Sequence, residues 1–243
     1  MWLIAEYEAV TLFSLRLSSA TSSGGKTLLV PTPYSVKMAL LDAACRILNV
    51  AHAEEVWPSI CDLAVALRPP ERAAITNLFQ RVWKSWQFKG KASEREAKTA
   101  EMLAKGKYPF QPDIGYREYV HLDGPLGIAL GWDEADDHPW LEDLLLNVTY
   151  FGKRGSFMQL IKPPVRTPDL PADYVEATRD QLMFAVDGTL QVLDDCTPDL
   201  TFDKANIYSG KKIKLGKERV TRNVVLPYHL TRSSKSFSLY ERI

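Results

Sequence analysis

The chain has 243 residues, 46% of them hydrophobic and 25% charged, a composition that suits one elaborated domain or two small ones. Lysine plus arginine equals aspartate plus glutamate, 30 against 30, so net charge alone selects no partner. Three widely spaced cysteines with no Cys-x-x-Cys pair argue against a zinc site and more strongly against a disulfide framework, and no apolar run is long enough for a membrane span.

Cys45, Cys61 and Cys196 therefore read as reduced thiols of a cytoplasmic protein. Met1 to Glu6 has no basic region ahead of its apolar residues and does not read as a signal peptide. Charge is unevenly distributed. Lys204 to Lys235 holds nine basic residues and one acid, Glu218, whereas Asp133 to Asp143 holds six acids and no lysine or arginine. Such separation suits one face for anions and another for a basic protein surface.

In chain order, Val10 to Ser18 is rich in β formers and predicts a strand that can start as early as Trp2. Ala20-Thr21-Ser22-Ser23-Gly24-Gly25-Lys26-Thr27 then matches a loose phosphate loop. A phosphate loop must open a helix at its Lys-Thr, because the helix N-terminus holds the phosphates. Pro31 and Pro33 fall where the second turn would be, and a proline costs about 3 kcal/mol in a helix interior. The helix is therefore predicted to start later, with Thr32 as N-cap and Pro33 at the first position.

Val36, Leu40, Ala43, Ala44, Ile47 and Leu48 give helical spacing as far as Val50, with Lys37, Asp42, Arg46 and Asn49 on the other side. Ala53 to Ala66 is mixed and interrupted by Trp57-Pro58; Pro69-Pro70-Glu71 predicts a further helix through Phe79. Arg81 to Phe88 fits a strand or a helix end. Lys89 to Lys107 is charged and poor in large apolar residues, so it reads as a solvated loop or a protruding arm. Tyr116 to Leu122 alternates as a strand, and Gly124 to Trp132 reads as a turn followed by a strand. Trp140 to Val148 is a short apolar helix, and Gly152-Lys153-Arg154-Gly155-Ser156 is a basic loop leading into another strand. Lys162 to Pro171 is a proline-rich linker, Asp187-Gly188 signals a hairpin across Gln181 to Val192, and Val220 to Leu230 and Ser236 to Tyr240 have β character.

Stripped of its inserts, this order is βαββαβ, which predicts an α+β, ferredoxin-like (RRM-like) core with a basic arm and a C-terminal β extension. The expected division is 1–161 for the core, with the arm at 89–112, and 174–243 for the extension packed on it. The chemistry points to RNA. Gly152 and Gly155 let backbone N–H groups approach a phosphate, Lys153 and Arg154 supply charge, and Ser156 adds a hydroxyl. Bases would stack on aromatics such as Tyr34 or Phe157. Lys26 offers a second phosphate contact, and Lys211, Lys212 and Lys214 belong to the densest basic run. Each of these groups also reads as a solvated surface feature, a turn or a flexible loop.

Leu29-Val30-Pro31-Thr32-Pro33-Tyr34-Ser35-Val36-Lys37-Met38-Ala39-Leu40-Leu41 resembles the proline-rich entry to the first helix in CRISPR-associated RAMP proteins, above all the protein-five family. Phe151 to Phe157 is similar to the Gly-rich basic loop of that superfamily, and the arm sits where the family carries its thumb. The resemblance implies a non-catalytic subunit that caps the 5′ handle of the guide RNA in a type I Cascade surveillance complex for antiviral defence. It implies RNA contacts at the helix entry, Tyr34, Ser35 and Lys37, beside those named above. It also implies neighbouring backbone and large subunits, target DNA met only indirectly, and no cofactor, metal or catalytic residue. Two enzyme readings remain beside it. One branch of the family cuts repeat RNA without metal, and His121, His229 and Tyr34 would be its candidates; the other reading is the phosphate-loop nucleotide hydrolase.

Overall fold

Thr32 starts the first helix, α1 (Pro33–Ile47). Its hydroxyl accepts from the Ser35 N–H at 3.1 Å, and the Ser35 hydroxyl accepts from the Thr32 N–H at 2.9 Å. This reciprocal cap satisfies two donors that no helix can satisfy internally, and Pro33 sits at the first position, where its missing N–H costs nothing. The protein is described from a computed structural model over residues 1–18, 25–179 and 187–243.

The chain enters through β1 (Trp2–Ala9), with Leu3, Ala5 and Tyr7 buried in alternation. The strand expected over 10–18 does not form. Val10 and Leu12 are 62% and 44% exposed while Phe13 is fully buried, so the run has no regular two-faced alternation, and it pairs through isolated bridges, Phe13 to Val120 and Arg16 to Thr27. After α1, Asn49 caps α2 (Val50–Asp62) with its side chain on the His52 N–H at 3.1 Å. This helix runs through Trp57-Pro58 instead of breaking there, anchored by buried Trp57, whose indole donates to the Leu200 carbonyl at 2.7 Å.

Next come β2 (Ala64–Arg68) and β3 (Arg72–Ser85). The helix expected from Pro69 through Phe79 is thus a strand. Its alanines favour a helix locally, but pairing partners on both sides override that preference. The chain continues through a short 3-10 turn (Ala92–Glu94), α3 (Arg95–Ala104), β4 (Phe110–Asp123) and β5 (Leu126–Gly131), the last buried throughout. Then follow α4 (Leu141–Leu146), β6 (Met158–Leu160), β7 (Val165–Thr167) and β8 (Val175–Glu176). β7 falls inside the expected linker, held by β1. The last elements are β9 (Thr189–Cys196), α5 (Phe202–Ala205), β10 (Arg219–Leu226), β11 (Tyr228–Ser233) and β12 (Phe237–Arg242). The first limb of the hairpin expected around Asp187-Gly188 lies outside the described residues; β9 pairs with β10.

The main sheet has the order β6-β1-β5-β2-β8 with antiparallel neighbours, and β7 pairs with the far end of β1. α1 packs against α2, α4 and β2, and the C-terminal β9 lies against α1 from the other side. Tyr7, Phe13, Leu40, Trp57, Phe151 and Tyr228 are among the fully buried side chains of the shared core. A second sheet, β11-β12-β3-β4, forms the arm and its base. The β3–β4 ribbon is paired without interruption from Arg72–Asp123 to Ser85–Phe110, so the arm begins well before the expected 89–112.

Residues 86–109 form the tip of this arm. None of the α3 side chains there is buried. Glu101 receives Lys98 at 3.0 Å and Lys105 at 2.6 Å. Hydrogen bonds from Lys105 and then Lys98 hold its carboxyl down to about 2, from an ordinary 4.5. A lowered folded-state value stabilises above the ordinary value and is lost as pH falls through the lowered one. The Cα chemical shifts of residues 95–104 should therefore stay helical from neutral pH to about 4.5 and move toward coil as pH drops to about 2. Fraying that begins between pH 7 and 5 would show that this triad does not hold the turn.

Candidate nucleic-acid interface

The Gly152–Ser156 loop is stitched to the irregular 10–18 segment. Gly152 has φ +72°, and a Cβ there would stand 2.7 Å from Leu15 Cδ1. The conformation requires glycine, whereas the Leu15 methyl could shift aside. The Thr11 hydroxyl donates to the Gly155 carbonyl at 2.7 Å and accepts from the Phe157 N–H at 2.9 Å. Ser156 is buried, and its hydroxyl accepts from the Ser14 N–H at 3.2 Å. It holds the loop in place and presents no hydroxyl to solvent, which corrects its expected phosphate contact.

The fastening leaves Lys153, Arg154 and Gly155 exposed. The Lys153 ammonium stands 6.0 Å from the centroid of the Tyr119 ring on β4, so the loop meets the base of the arm. Arg154 points elsewhere, into a cleft against the outer side of α1.

Lys26 is exposed and also attached to the arm base. Gly25 packs so closely on β4 that a Cβ would come within 2.2 Å of the Tyr116 carbonyl oxygen. The Thr27 N–H donates to the Glu118 carboxylate at 2.8 Å. A carboxylate thus holds the backbone donor that a phosphate loop would offer to its nucleotide, and no helix opens at Lys26-Thr27. The preceding residues of that motif, 19–24, lie outside the described residues.

The helix entry differs most from expectation. Ser35 is buried, and its hydroxyl is consumed by the cap, donating to the Thr32 carbonyl at 2.8 Å. Lys37 is 2% exposed; its ammonium lies 2.8 Å from Asp195 Oδ1 and 2.8 Å from the Cys61 carbonyl. Neither faces solvent, so neither is available as the surface contact expected of it. Lys37 instead ties α1 to β9. Tyr34 is half-buried, with the Arg219 guanidinium 4.1 Å from its ring centroid, and burial pushes its phenol up. That ring already carries a cation, and Arg219 is in turn paired with buried Asp194.

The basic run is partly neutralised. Lys211 pairs with Asp203, and Lys204 pairs with buried Glu218 at 2.6 Å. Glu218 also accepts from the Lys214 N–H at 2.6 Å, and these two contacts, Lys204 first, hold its carboxyl below the ordinary value. The side chains of Lys212 and Lys214 are exposed. The lone acid of the run thus shapes the loop that displays them. Sequence reading missed Glu118, Asp195 and Glu218 as organisers, since an isolated acid carries no periodic signal.

The structure does not assemble the candidate cleavage set. His121 is on β4 and His229 on β11, the two edges of the four-stranded sheet, three strand spacings or about 14 Å apart. Tyr34 stands at the start of α1. Among the described residues no three His, Cys, Asp or Glu are placed to hold a metal ion, and no helix is long and apolar enough to cross a membrane.

No protein-family model matches the chain. A curated relative, CRISPR-associated protein Cas5 of Archaeoglobus fulgidus, is 23% identical over 220 residues, 86% of each chain. The resemblance read from the helix entry and the Gly-basic loop is borne out by that relative. Among solved structures, a CRISPR protein from Archaeoglobus fulgidus aligns over 100% of this chain and 92% of its own, at 14% identity and TM-score 0.49. A chain of a CRISPR RNA-guided surveillance complex aligns over 92% of this chain and 88% of its own, at 16% identity and TM-score 0.49.

Proposed function

We propose that the chain is a non-catalytic RNA-binding subunit of a type I CRISPR surveillance complex, holding the 5′ handle of the guide RNA. The observation that carries the reading is the Gly152–Ser156 loop, clamped onto the 10–18 segment beside the arm base with Lys153 and Arg154 left exposed. Lys26 at the same arm base and Lys212 and Lys214 beyond α5 extend the cationic surface. The sheet order, fourth-first-third-second across the βαββαβ elements, supports the ferredoxin-like description, and the β3–β4 ribbon matches the thumb in position. The arm is the surface for a neighbouring backbone subunit. The acidic 133–143 segment suits a basic partner, the large subunit.

Lys153→Ala/Arg154→Ala should weaken binding to single-stranded repeat RNA from the protein's own CRISPR locus. It should flatten the slope of log K against log salt by about 1.4, from roughly 0.7 per phosphate for a single strand. Unchanged affinity and slope in the folded variant would remove the site. The repeat RNA should stay intact with protein in molar excess and EDTA present. Cleavage at one phosphodiester, abolished by His121→Ala or His229→Ala, would make the chain an endoribonuclease instead.

A further inference from the structure

A cleft of about 470 Å³ separates the outer side of α1 from the Phe202–Tyr208 segment. Its walls are mostly apolar: Met38 and Cys45 on α1, Tyr150 at the floor, Phe202 and Ile207 opposite. Its size lies within the range of small-molecule pockets, which run from about 300 to 1,000 Å³. Two features separate it from an ordinary gap under a loop. Ile207 is 79% exposed and Tyr208 88% exposed at the rim. Arg154 of the Gly-basic loop lines the same cleft, so a cation stands at the mouth of an apolar hole.

Polar groups are few. Asp42 on α1 and Asn206 line the two walls. The Asn206 side-chain oxygen accepts from the Tyr208 N–H at 3.0 Å, which fixes the amide and sets the start of the Ile207–Ser209 turn. The Ser209 hydroxyl accepts from the Lys211 N–H at 3.1 Å, so the basic run begins as the cleft wall ends. A cation at the rim, an aromatic ring projecting there and an apolar interior match the anatomy of one nucleotide, an anionic phosphate joined to a flat ring that stacks.

We infer that this cleft takes one unstacked nucleobase of the bound RNA, stacked on Tyr208, with its 5′ or 3′ phosphate on Arg154. The inference rests on the RNA-binding reading and adds the mode of base recognition. The Asp42 carboxylate, whose Oδ2 also accepts from Arg46 Nε at 3.0 Å, is an acceptor only, so it favours an exocyclic amine over the O4 of uracil.

The test uses the full chain and the repeat RNA in which each base in turn is replaced by an abasic residue. Tyr208→Ala leaves the fold intact, because that side chain lies outside the core, and Cys45→Phe fills the cleft. Each should lower affinity about tenfold, the usual scale of one lost base stack. One abasic position should cost the same factor in the parent and nothing further in either variant, while the salt slope stays that of the parent. Uracil at that position keeps its stack, so in the parent it should bind more tightly than the abasic RNA and more weakly than a base with an exocyclic amine, and that second difference should shrink in Asp42→Asn. Tyr208→Ala and Cys45→Phe binding as tightly as the parent, the result expected of a cleft that receives protein, would overturn the inference, as would losses that add to those of every abasic position, which would place no base in the cleft. If Lys153→Ala/Arg154→Ala is also silent, the RNA-binding reading fails with it; if that variant is weakened, only the base cleft fails.

Discussion

Lys37→Met should cost the protein about 3–5 kcal/mol of stability at neutral pH, a large share of the total. The lysine and Asp195 are 2% and 6% exposed at their side chains, and their 2.8 Å contact joins α1 to β9. Removing one partner of a buried ion pair costs about 3–5 kcal/mol, because the other charge is left uncompensated in a poorly solvated place. A domain of this kind has only about 5–15 kcal/mol in total. Asp195 shows how strained that state would be. Burial pushes its carboxyl up even with Lys37 beside it, while the Lys37 charge and hydrogen bond and the Cys196 N–H act the other way.

The sign of the pH effect follows. A carboxyl raised in the fold destabilises it when ionised, so the penalty is absent below the ordinary value of 3.8 and grows as pH rises through the raised one. Without Lys37 the value rises further. The deficit of Lys37→Met in urea unfolding should therefore be full at pH 7 and shrink as pH falls toward 3.8. Lys37→Met/Asp195→Leu should recover most of the loss, since an apolar replacement of a whole buried pair is often neutral. A single variant as stable as the parent at pH 7 would mean that water reaches Asp195 and that the pair does not join the C-terminal β part to the core.

The same pair shows where the sequence stops being legible. Thr32 and Pro33 announce a helix start through local chemistry alone, and the structure carries both at their expected positions. β5 is equally readable, because a run buried on both faces needs no partner to be recognised. Lys37 follows a different logic. It sits on the polar side of α1 in the helical pattern, but that side is covered by β9, which arrives from more than a hundred residues away. The β3 strand was hidden for the same reason. Its Ala73-Ala74 stretch takes its conformation from β12 and β4, which are distant in sequence. The Gly-basic loop was legible because glycine and charge act within a few residues. The base cleft was not, since its walls come from α1 and from Phe202–Tyr208.

Phe79→Ser/Trp83→Ser/Ile114→Ser should leave the isolated protein folded and abolish its incorporation into the complex. The register of the arm ribbon sets Phe79 opposite Tyr116, Arg81 opposite Ile114, Trp83 opposite Pro112 and Ser85 opposite Phe110. Directly paired residues and their second neighbours share a face, so these eight lie on one side of the ribbon. Phe79, Trp83, Ile114 and Phe110 on that side are 71%, 69%, 69% and 53% exposed. Among the described residues, the Phe79 ring meets the Tyr116 ring on this face at 5.0 Å between centroids. A contiguous aromatic face on a projecting ribbon is costly to leave in water, and it is where a partner would gain most of its binding energy. Because the three side chains make little of the core, their loss should shift the thermal midpoint by no more than a few degrees, against about 2–4 °C per kcal/mol at this size. Co-purification with the backbone subunit proposed as its neighbour should fall below detection, while affinity for isolated repeat RNA stays within about twofold, well under the 1.4 kcal/mol that a tenfold change represents. A variant that assembles normally would assign the aromatic face to another role. One that melts far below the parent would show that the ribbon stabilises the fold through this face.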